Sequence, residues 1–351
     1  MIFGKKKNVA IIFGGKSAEH DVSIRSANAI YSNIDRDLFN ISLIYIARDG
    51  KWALINEKNI GTPEKDTTLK GDFLPWLKKG TLSGGIDIYF PVLHGPNGED
   101  GRIQGIFEMS GVPFTGAGSL SSGLAMDKAV SKALFSLAGL AIADYKVFTR
   151  NDPEDIYKNI ESSIGYPCFI KPCSLGSSIG ISRALNREEL ISGSSEAFKF
   201  DTKIIIEEEI KGIEYEVSVK GNDHPVASHP GSFIPSKDFY DYEDKYILGK
   251  TEFQIPAELP DDKVNGLKNA SVTAYKALYL NGFSRVDFFI EDKTGRIIVN
   301  EINTIPGFTE ISMFPKLWES EGISFKDLVT ELIELGFEHS RKIFSKLNSP
   351  R

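Results

Sequence analysis

Residues 284–303, SRVDFFIEDKTGRIIVNEIN, and the TIPGF that carries the chain on to residue 308 decide how this sequence is read. Two runs rich in β-branched and aromatic residues flank EDKTG, a turn segment with Asp292 and Gly295, so a β-hairpin is predicted. Side chains alternate faces along a strand, which puts Arg285 with Asp287 and Glu301 with Asn303. If Glu291 pairs with Ile297, Asp287 stands opposite Glu301, and Arg285 opposite Asn303. Facing carboxylates repel unless a cation lies between them. Carboxylate and amide oxygens without His or Cys select a hard ion, Mg2+ or Mn2+ rather than zinc. Mg2+ in turn takes its remaining ligands from water and nucleotide phosphates. A hairpin with a solvated acidic face has the same pattern, so the reading needs a second feature. Pro306 and Gly307 then turn the chain, and Gly307 allows the backbone to approach a ligand and offer its N–H.

The second feature is FIKPCSLGSSIGIS, residues 169–182. Lys171 ends an apolar run and precedes a loop of small residues, Gly176, Ser177, Ser178 and Gly180, whose successive N–H groups suit a phosphate. The G-x-x-x-x-G-K spacing of a Walker loop is absent, so a hairpin loop closing over phosphates fits better, although a plain turn has the same composition. Lys128 in MDK is an isolated lysine that could reach the same phosphates or simply be solvated. Glu207, Glu208 and Glu209 end the run IIIEEE, with Glu214 close behind. Such acids form either a solvated edge or a strand end holding adenine and ribose hydroxyls. In SKDFYDYEDKY, Tyr240 and Tyr242 share a face if extended, with Lys245 and Tyr246 beyond. This suits a water-excluding lid or an exposed strand edge.

The 351 residues exceed a usual single domain and predict two or three. With 41% hydrophobic and 25% charged residues the chain is an ordinary globular one. Acidic residues outnumber basic ones 48 to 41, so no overall cationic field exists for nucleic acid or anionic lipid. No apolar run is long enough to span a bilayer, and no signal-peptide core follows Lys5–Lys7, so a cytoplasmic location is expected. Two cysteines, Cys168 and Cys173, form no disulfide framework and read as reduced thiols.

NVAIIFGGKSAEHDVSIRSANAIYSNI (8–34) reads as strand, glycine turn, helix, and IDIYFPVLHG (86–95) with PNGEDG and RIQGIFEMSG repeats that order. Short apolar strands alternating with helices predict a parallel α/β sheet buried on both faces, over residues 1–122. The strand candidates of residues 123–212 look antiparallel and form a small α+β unit. Residues 213–351 hold the lid candidate, a helix within 262–282, the hairpin, and a final helix near 324–344.

Taken in chain order, FGGKSAEHDVS, HGPNGEDGRIQG, MDK, KPCSLGSSIG, FYDYEDKY, SRVDFF, NEINTIPGF and ISMFPKLW resemble the motifs of the ATP-grasp superfamily. Within it they resemble the D-alanine–D-alanine ligases of bacterial cell-wall synthesis. The resemblance runs through nearly the whole chain. It implies an ATP-grasp fold: an N-terminal parallel α/β domain, a central small α+β domain and a C-terminal α+β domain, with ATP between the last two. It also implies phosphoryl transfer from ATP to the carboxylate of a first D-alanine, followed by attack of a second D-alanine's amine on the acyl phosphate.

By position, Asp287, Glu301 and Asn303 resemble the ligands of two Mg2+ or Mn2+ ions, and Lys128, Lys171 and Lys245 the phosphate-contacting lysines. Ser178 and Glu208 join the ATP-binding set. Arg285 and the Gly307 N–H resemble the stabilisers of the tetrahedral intermediate. Glu207 and Glu214 resemble the adenosine-binding acids, with Ile210 near the base. Ser177 and Tyr246 resemble members of the hydrogen-bonded set that orders the first substrate and the lid. Ser312 and Met313 fall where the second D-alanine is held, His94 and Glu99 near the first, and Tyr240 with the substrate-binding residues.

One departure stands out: where the family has E-V-S, with the glutamate expected on the first substrate's ammonium, this chain has Asp21-Val22-Ser23. Asp21 is therefore expected to do that work, one methylene shorter; either the helix sits closer, Glu19 assists, or affinity at the first site is weakened. Ligases making D-alanine–D-serine or D-alanine–D-lactate would keep the same ATP machinery, but Tyr246 and Ser312-Met313 favour the dipeptide of two D-alanines. A non-catalytic nucleotide-binding regulator would be expected to lose groups such as Lys171, Arg285 and Asp287, which are present. The resemblance further implies a homodimer.

Overall fold

The computed structural model describes residues 5–65, 85–152, 156–234 and 252–347. Among the described residues, three sheets carry the fold. In the first, β1 (Lys7–Gly14) lies between β2 (Phe39–Ile46) and β4 (Ile88–Val92), parallel to both. Val9–Phe13 and most of β4 are sealed on both faces, as the unbroken apolar runs require. The strand β3 (Trp52–Ile55) departs from the all-parallel expectation. It pairs antiparallel with β2, because the short connection over 47–51 has no room for a crossover. Helix α1 (His20–Asn33) covers one face and α2 (Arg102–Ser110) the other. Helices α3 (Ser119–Met126) and α4 (Lys128–Leu137) then lead to the second sheet.

That sheet runs β5 (Tyr145–Thr149), β8 (Lys203–Glu208), β6 (Cys168–Pro172), β7 (Ser182–Ala184), all antiparallel. Its two faces differ by the period-two rule. Cys168, Ile170, Ile204 and Ile206 pack on α5 (Ile156–Ser163) and α6 (Arg187–Ala197). Phe169, Lys171 and Glu207 point the other way, into a cleft.

The third sheet orders β12 (Glu252–Gln254), β11 (Gly231–Ile234), β9 (Gly212–Lys220), β13 (Phe283–Glu291) and β14 (Ile297–Asn303), with β10 (Val226–Ala227) beside β9. Tyr215, Val217, Val286, Phe288, Val299 and Ile302 face α7 (Asp261–Ala277) and form a core with its Leu267, Ala274 and Tyr275. The last helices, α8 (Met313–Ser320) and α9 (Phe325–Leu347), return to the first sheet. Phe308, Phe314, Trp318, Leu328, Leu332 and Ile333 share one core with Val9, Ile11 and Phe90. Each large apolar side chain buried there contributes about 1.5–3 kcal/mol, so the two ends of the chain are held together by packing rather than by a linker.

The β13–β14 hairpin forms as predicted, with a different register at its turn. Ile290, not Glu291, stands opposite Ile297. A β-bulge at Asn300 then shifts the ladder by one, so Asp287 is opposite Glu301 and Arg285 opposite Asn303 after all.

Candidate active site

Two clefts meet along a shared wall of Lys128, Leu175, Gly176, Ser177 and Glu301. The larger, about 700 Å3, lies between the second and third sheets. That volume suits a small-molecule ligand. Phe169, Lys171, Glu207 and Ile210 line one side; Glu214, Phe289, Ile298 and Glu301 line the other. The smaller, about 140 Å3, opens beyond Ser177 among Glu19, His94, Glu99, Arg285, Gly307, Ser312 and Met313.

The glycine-serine segment is the β6–β7 connection, and Ser177 (φ 55°) and Ser178 (φ 58°) both adopt the left-handed conformation. For non-glycine residues this costs roughly 1–2 kcal/mol each, a local strain of the kind found at ligand sites. Lys128 joins this loop to the hairpin. Asp127 caps α4 by accepting from the N–H groups of Ala129 and Val130, at 3.1 Å each, which leaves Lys128 at the helix start. The Lys128 N–H donates to Cys173 O at 2.9 Å. Its Nζ donates to Leu175 O at 2.5 Å and lies 3.7 Å from Glu301 Oε2.

At the far side of the larger cleft, Lys171 Nζ donates to Glu207 Oε2 at 2.7 Å, and Lys132 Nζ lies 3.2 Å from Glu207 Oε1. The second contact is an ion pair without hydrogen-bond alignment. Lys132 and Glu207 are buried, and Lys171 is largely so. Burial would push the Glu207 carboxyl up, but the two ammonium groups outweigh it and hold it at about 2. Burial lowers Lys132, and Glu207 offsets this only in part, whereas at Lys171 burial is outweighed by Glu207 together with Glu301 and Glu214, which raise it. Glu208 accepts from the Asp144 N–H at 2.9 Å, and Glu209 pairs with Arg183 through two nitrogens, at 2.6 and 3.0 Å.

Across three adjacent strands, Glu216, Asp287 and Glu301 form one lateral row on the cleft face. Arg285 pairs with two members of the row: its Nε and Nη2 donate to the Asp287 oxygens at 2.7 and 2.6 Å, and Nε lies 3.0 Å from Glu216. Burial opposes this guanidinium's charge, yet Asp287 and Glu216 hold its pKa well above the ordinary value. Among the described residues no group of three or more His, Cys, Asp or Glu is placed to hold a metal ion. The third oxygen of the candidate set is an amide, Asn303 Oδ1, which accepts from the Ile305 N–H at 3.1 Å. The set fits a hard divalent ion by chemistry, because a carboxylate has about four lone-pair positions and Arg285 takes two of those on Asp287.

Asp21 is not at the site, which corrects the expectation from sequence. It lies on the outer face of α1 and accepts from Arg48 Nη2 at 2.7 Å, with both side chains more than half exposed. Glu19, two residues earlier and so on the other side of the helix start, lines the smaller cleft. Ser17 fixes it there, donating from Oγ to His94 O at 2.7 Å and accepting from the Glu19 N–H at 3.2 Å. Glu19 Oε2 reaches the glycine-serine loop, since a Cβ on Gly176 would stand 3.9 Å from it.

His94 and Glu99 are buried beside Glu19. Burial lowers His94, so it is neutral, and burial with the nearby Glu19 charge raises Glu99 well above its ordinary value. Ser312 Oγ accepts from the Thr309 N–H at 3.0 Å. Tyr240, Lys245 and Tyr246, and with them the lid, lie outside the described residues. Lys132 and Glu216 were missed in the sequence. The signals were present: Lys132 is four residues after Lys128 on one helix face, and Glu216 alternates with Glu214 along β9.

The family model described as D-ala D-ala ligase N-terminus matches residues 8–117, and that of the D-ala D-ala ligase C-terminus matches 134–334. The D-alanine–D-alanine ligase of Acetivibrio thermocellus is 43% identical over 95% of this chain and 97% of its own length. That of Thermoanaerobacter sp. is 45% identical over 96% and 99%. Among solved structures, the VanG D-Ala:D-Ser ligase of Enterococcus faecalis superposes with a TM-score of 0.87 at 38% identity, covering 95% of this chain and all of that one. The Coxiella burnetii D-alanine–D-alanine ligase superposes at 0.85 and 29%, covering 98% and 97%.

Proposed function

The chain belongs to the D-alanine–D-alanine ligase family, and on that premise we propose how its own residues divide the work. It is an ATP-dependent ligase of ATP-grasp fold. It joins two D-alanine molecules into D-alanyl-D-alanine, with ADP and phosphate as the other products, for peptidoglycan precursors.

ATP lies in the larger cleft, its base beside Ile210 and Phe289 and its ribose toward Glu214. Lys171, Lys128 and the Ser177–Ser178 amides receive the phosphates. Asp287, Glu301 and Asn303 would hold Mg2+ or Mn2+, as two ions, whose charge offsets that of the transferring phosphoryl group. The first D-alanine occupies the smaller cleft with its ammonium on Glu19 and its carboxylate facing the γ-phosphorus. Oxygen attack on that phosphorus breaks the bond to the bridging oxygen, which leaves with ADP, and gives D-alanyl phosphate. The second D-alanine, beside Ser312 and Met313, gives one ammonium proton to solvent, attacks the acyl carbon through its amine, and sheds a second proton to solvent as the amide forms. Arg285 and the Gly307 N–H balance the charge on the carbonyl oxygen, and the C–O bond to phosphate then breaks with its electrons on phosphate. Tyr240, Lys245 and Tyr246 belong to the closing lid.

Three domains, 1–122, 123–212 and 213–351, house these parts. The protein works in the cytoplasm, a reading supported by its two free, buried cysteines. No helix among the described residues is long and apolar enough to cross a membrane. It acts as a homodimer, which the exposed apolar side chains of Met109 and Leu120 on neighbouring helices support.

The observation that carries this reading is Lys128, which touches both the glycine-serine loop and Glu301 where the two clefts join. Phosphate release from Mg2+-ATP should require D-alanine, and D-serine or D-lactate in competition should not displace D-alanine from the product. Preferential incorporation of either competitor would reassign the second substrate, and ATP binding without D-alanine-dependent turnover would favour a regulator.

A further inference from the structure

Serine is a poor residue for a helix interior, where its hydroxyl competes for backbone partners. Ser26 nevertheless sits in the middle of α1, fully buried, and its hydroxyl leaves the helix. Ser26 Oγ accepts from the Phe308 N–H at 3.1 Å and lies 3.2 Å from His94 Nε2. His94 Nδ1 lies 2.9 Å from Ile305 O. A carbonyl can only accept, so Nδ1 carries the proton, Nε2 is the acceptor, and the Ser26 hydroxyl donates to it. The chain of bonds thus runs from Phe308 N–H to Ser26 to His94 to Ile305 O, and it grips both ends of the segment Ile305-Pro306-Gly307-Phe308.

The donors of that segment are nearly all used. Ile305 N–H donates to Asn303, Pro306 has none, and Phe308 N–H donates to Ser26. Gly307 N–H has no partner among the described residues, and Gly307 lines the smaller cleft. Glu19 lies seven residues before Ser26, two helical turns away along α1. One helix therefore begins at Glu19, the carboxylate given the substrate's ammonium, and carries the pin of the segment that presents the Gly307 amide.

We infer that Ser26 is a positioning residue of the ligation, holding the Gly307 N–H on the developing oxyanion through Phe308 and His94. This rests on the role given above to Gly307. A donor displaced rather than deleted should lose part of the roughly 100- to 1,000-fold that deletion of an oxyanion donor costs. In Ser26→Ala we expect kcat to fall about 10- to 100-fold, with KM for ATP within about two-fold of the parent. Amide hydrogen exchange at Phe308 should speed up. Ser26→Thr, which keeps the hydroxyl, should recover most of kcat.

If Ser26→Ala does not fold, Ser26→Cys takes its place: a near-isostere with a weak donor and acceptor, for which an intermediate kcat is expected. The inference is overturned if the tested variant keeps the parent's kcat and Phe308 exchange. It is equally overturned if rate and both KM values shift together, or if Ser26→Thr is no better than Ser26→Ala. The parent enzyme separates the two ideas. Failure of D-alanine to trigger phosphate release there would refute the ligase reading, while the exchange measurement would still decide whether Ser26 pins the segment.

Discussion

Exchanging Glu19 for Gln and, separately, Asp21 for Asn sets two neighbouring carboxylates of one helix start against each other. Asp21 pairs with Arg48 where both side chains are more than half exposed. Such pairs are worth about 0–1 kcal/mol, so Asp21→Asn should change KM for the first D-alanine by less than about five-fold. Glu19 is 9% exposed, faces the cleft and stands close to Glu99 and His94. A charge-assisted hydrogen bond from a substrate ammonium to such a carboxylate is worth about 1.5–3 kcal/mol, which converts to roughly 10- to 150-fold in KM. Removing the Glu19 charge also takes away one of the influences that raise Glu99, so Glu99 should ionise more readily in the variant. The assay is the initial rate of phosphate release at saturating ATP over a range of D-alanine concentrations wide enough to separate the two KM values. Glu19→Gln should raise the lower KM strongly and leave KM for ATP unchanged. If Asp21→Asn raises it as much as Glu19→Gln does, the placement of these two residues here is refuted.

The Glu207 carboxyl is held at about 2 against an ordinary 4.5, so its stabilisation is complete above pH 4.5 and is lost as pH falls through 2. Glu207→Gln should therefore destabilise the protein by about 3–5 kcal/mol near neutrality, since Lys132 and Lys171 lose their counter-charge, with the deficit shrinking in acid; denaturant titrations at pH 7 and pH 3 would test this, and an equal deficit at both would refute it. In Gly307→Ala the new Cβ would stand 2.6 Å from Ser312 Oγ, disturbing both the amide and the second substrate's pocket. We expect a fall in kcat of about 100-fold or more, comparable to loss of an oxyanion donor, with KM for ATP preserved in steady-state assays. Burial pushes the Cys168 and Cys173 thiols up to about 11 and about 12, so both should resist alkylation at pH 8 until denaturant is added, as mass spectrometry would record.

Period-two and helical patterning identified the strands, the hairpin around Gly295 and the glycine-serine loop after Lys171, because those signals lie within a few residues of one another along the chain. The same local logic marked Arg285, Asp287, Glu301 and Asn303 as one constellation. What it could not supply was register. The pairing of Asp287 with Glu301 holds only because a bulge at Asn300 offsets a turn one residue out of step with the simple count. Nor could it tell which carboxylate of AEHD faces inward: that depends on Ser17 bonding to His94, 77 residues away in sequence. The third glimpse of this limit is Lys132, whose role as partner of Glu207 exists only where α4 packs under the second sheet.

By itself, then, the sequence determined the kinds of element, the chemistry of the donors and their order along the chain, since each depends on neighbours and on side-chain type. Tertiary structure alone decided which groups meet: Glu19 rather than Asp21 in the small cleft, and His94 on Ile305 across 211 residues. The physical reason is that a hydrogen bond or ion pair acts over a few ångströms. Chain separation carries no information about such a distance until sheets and shared cores have brought the segments together.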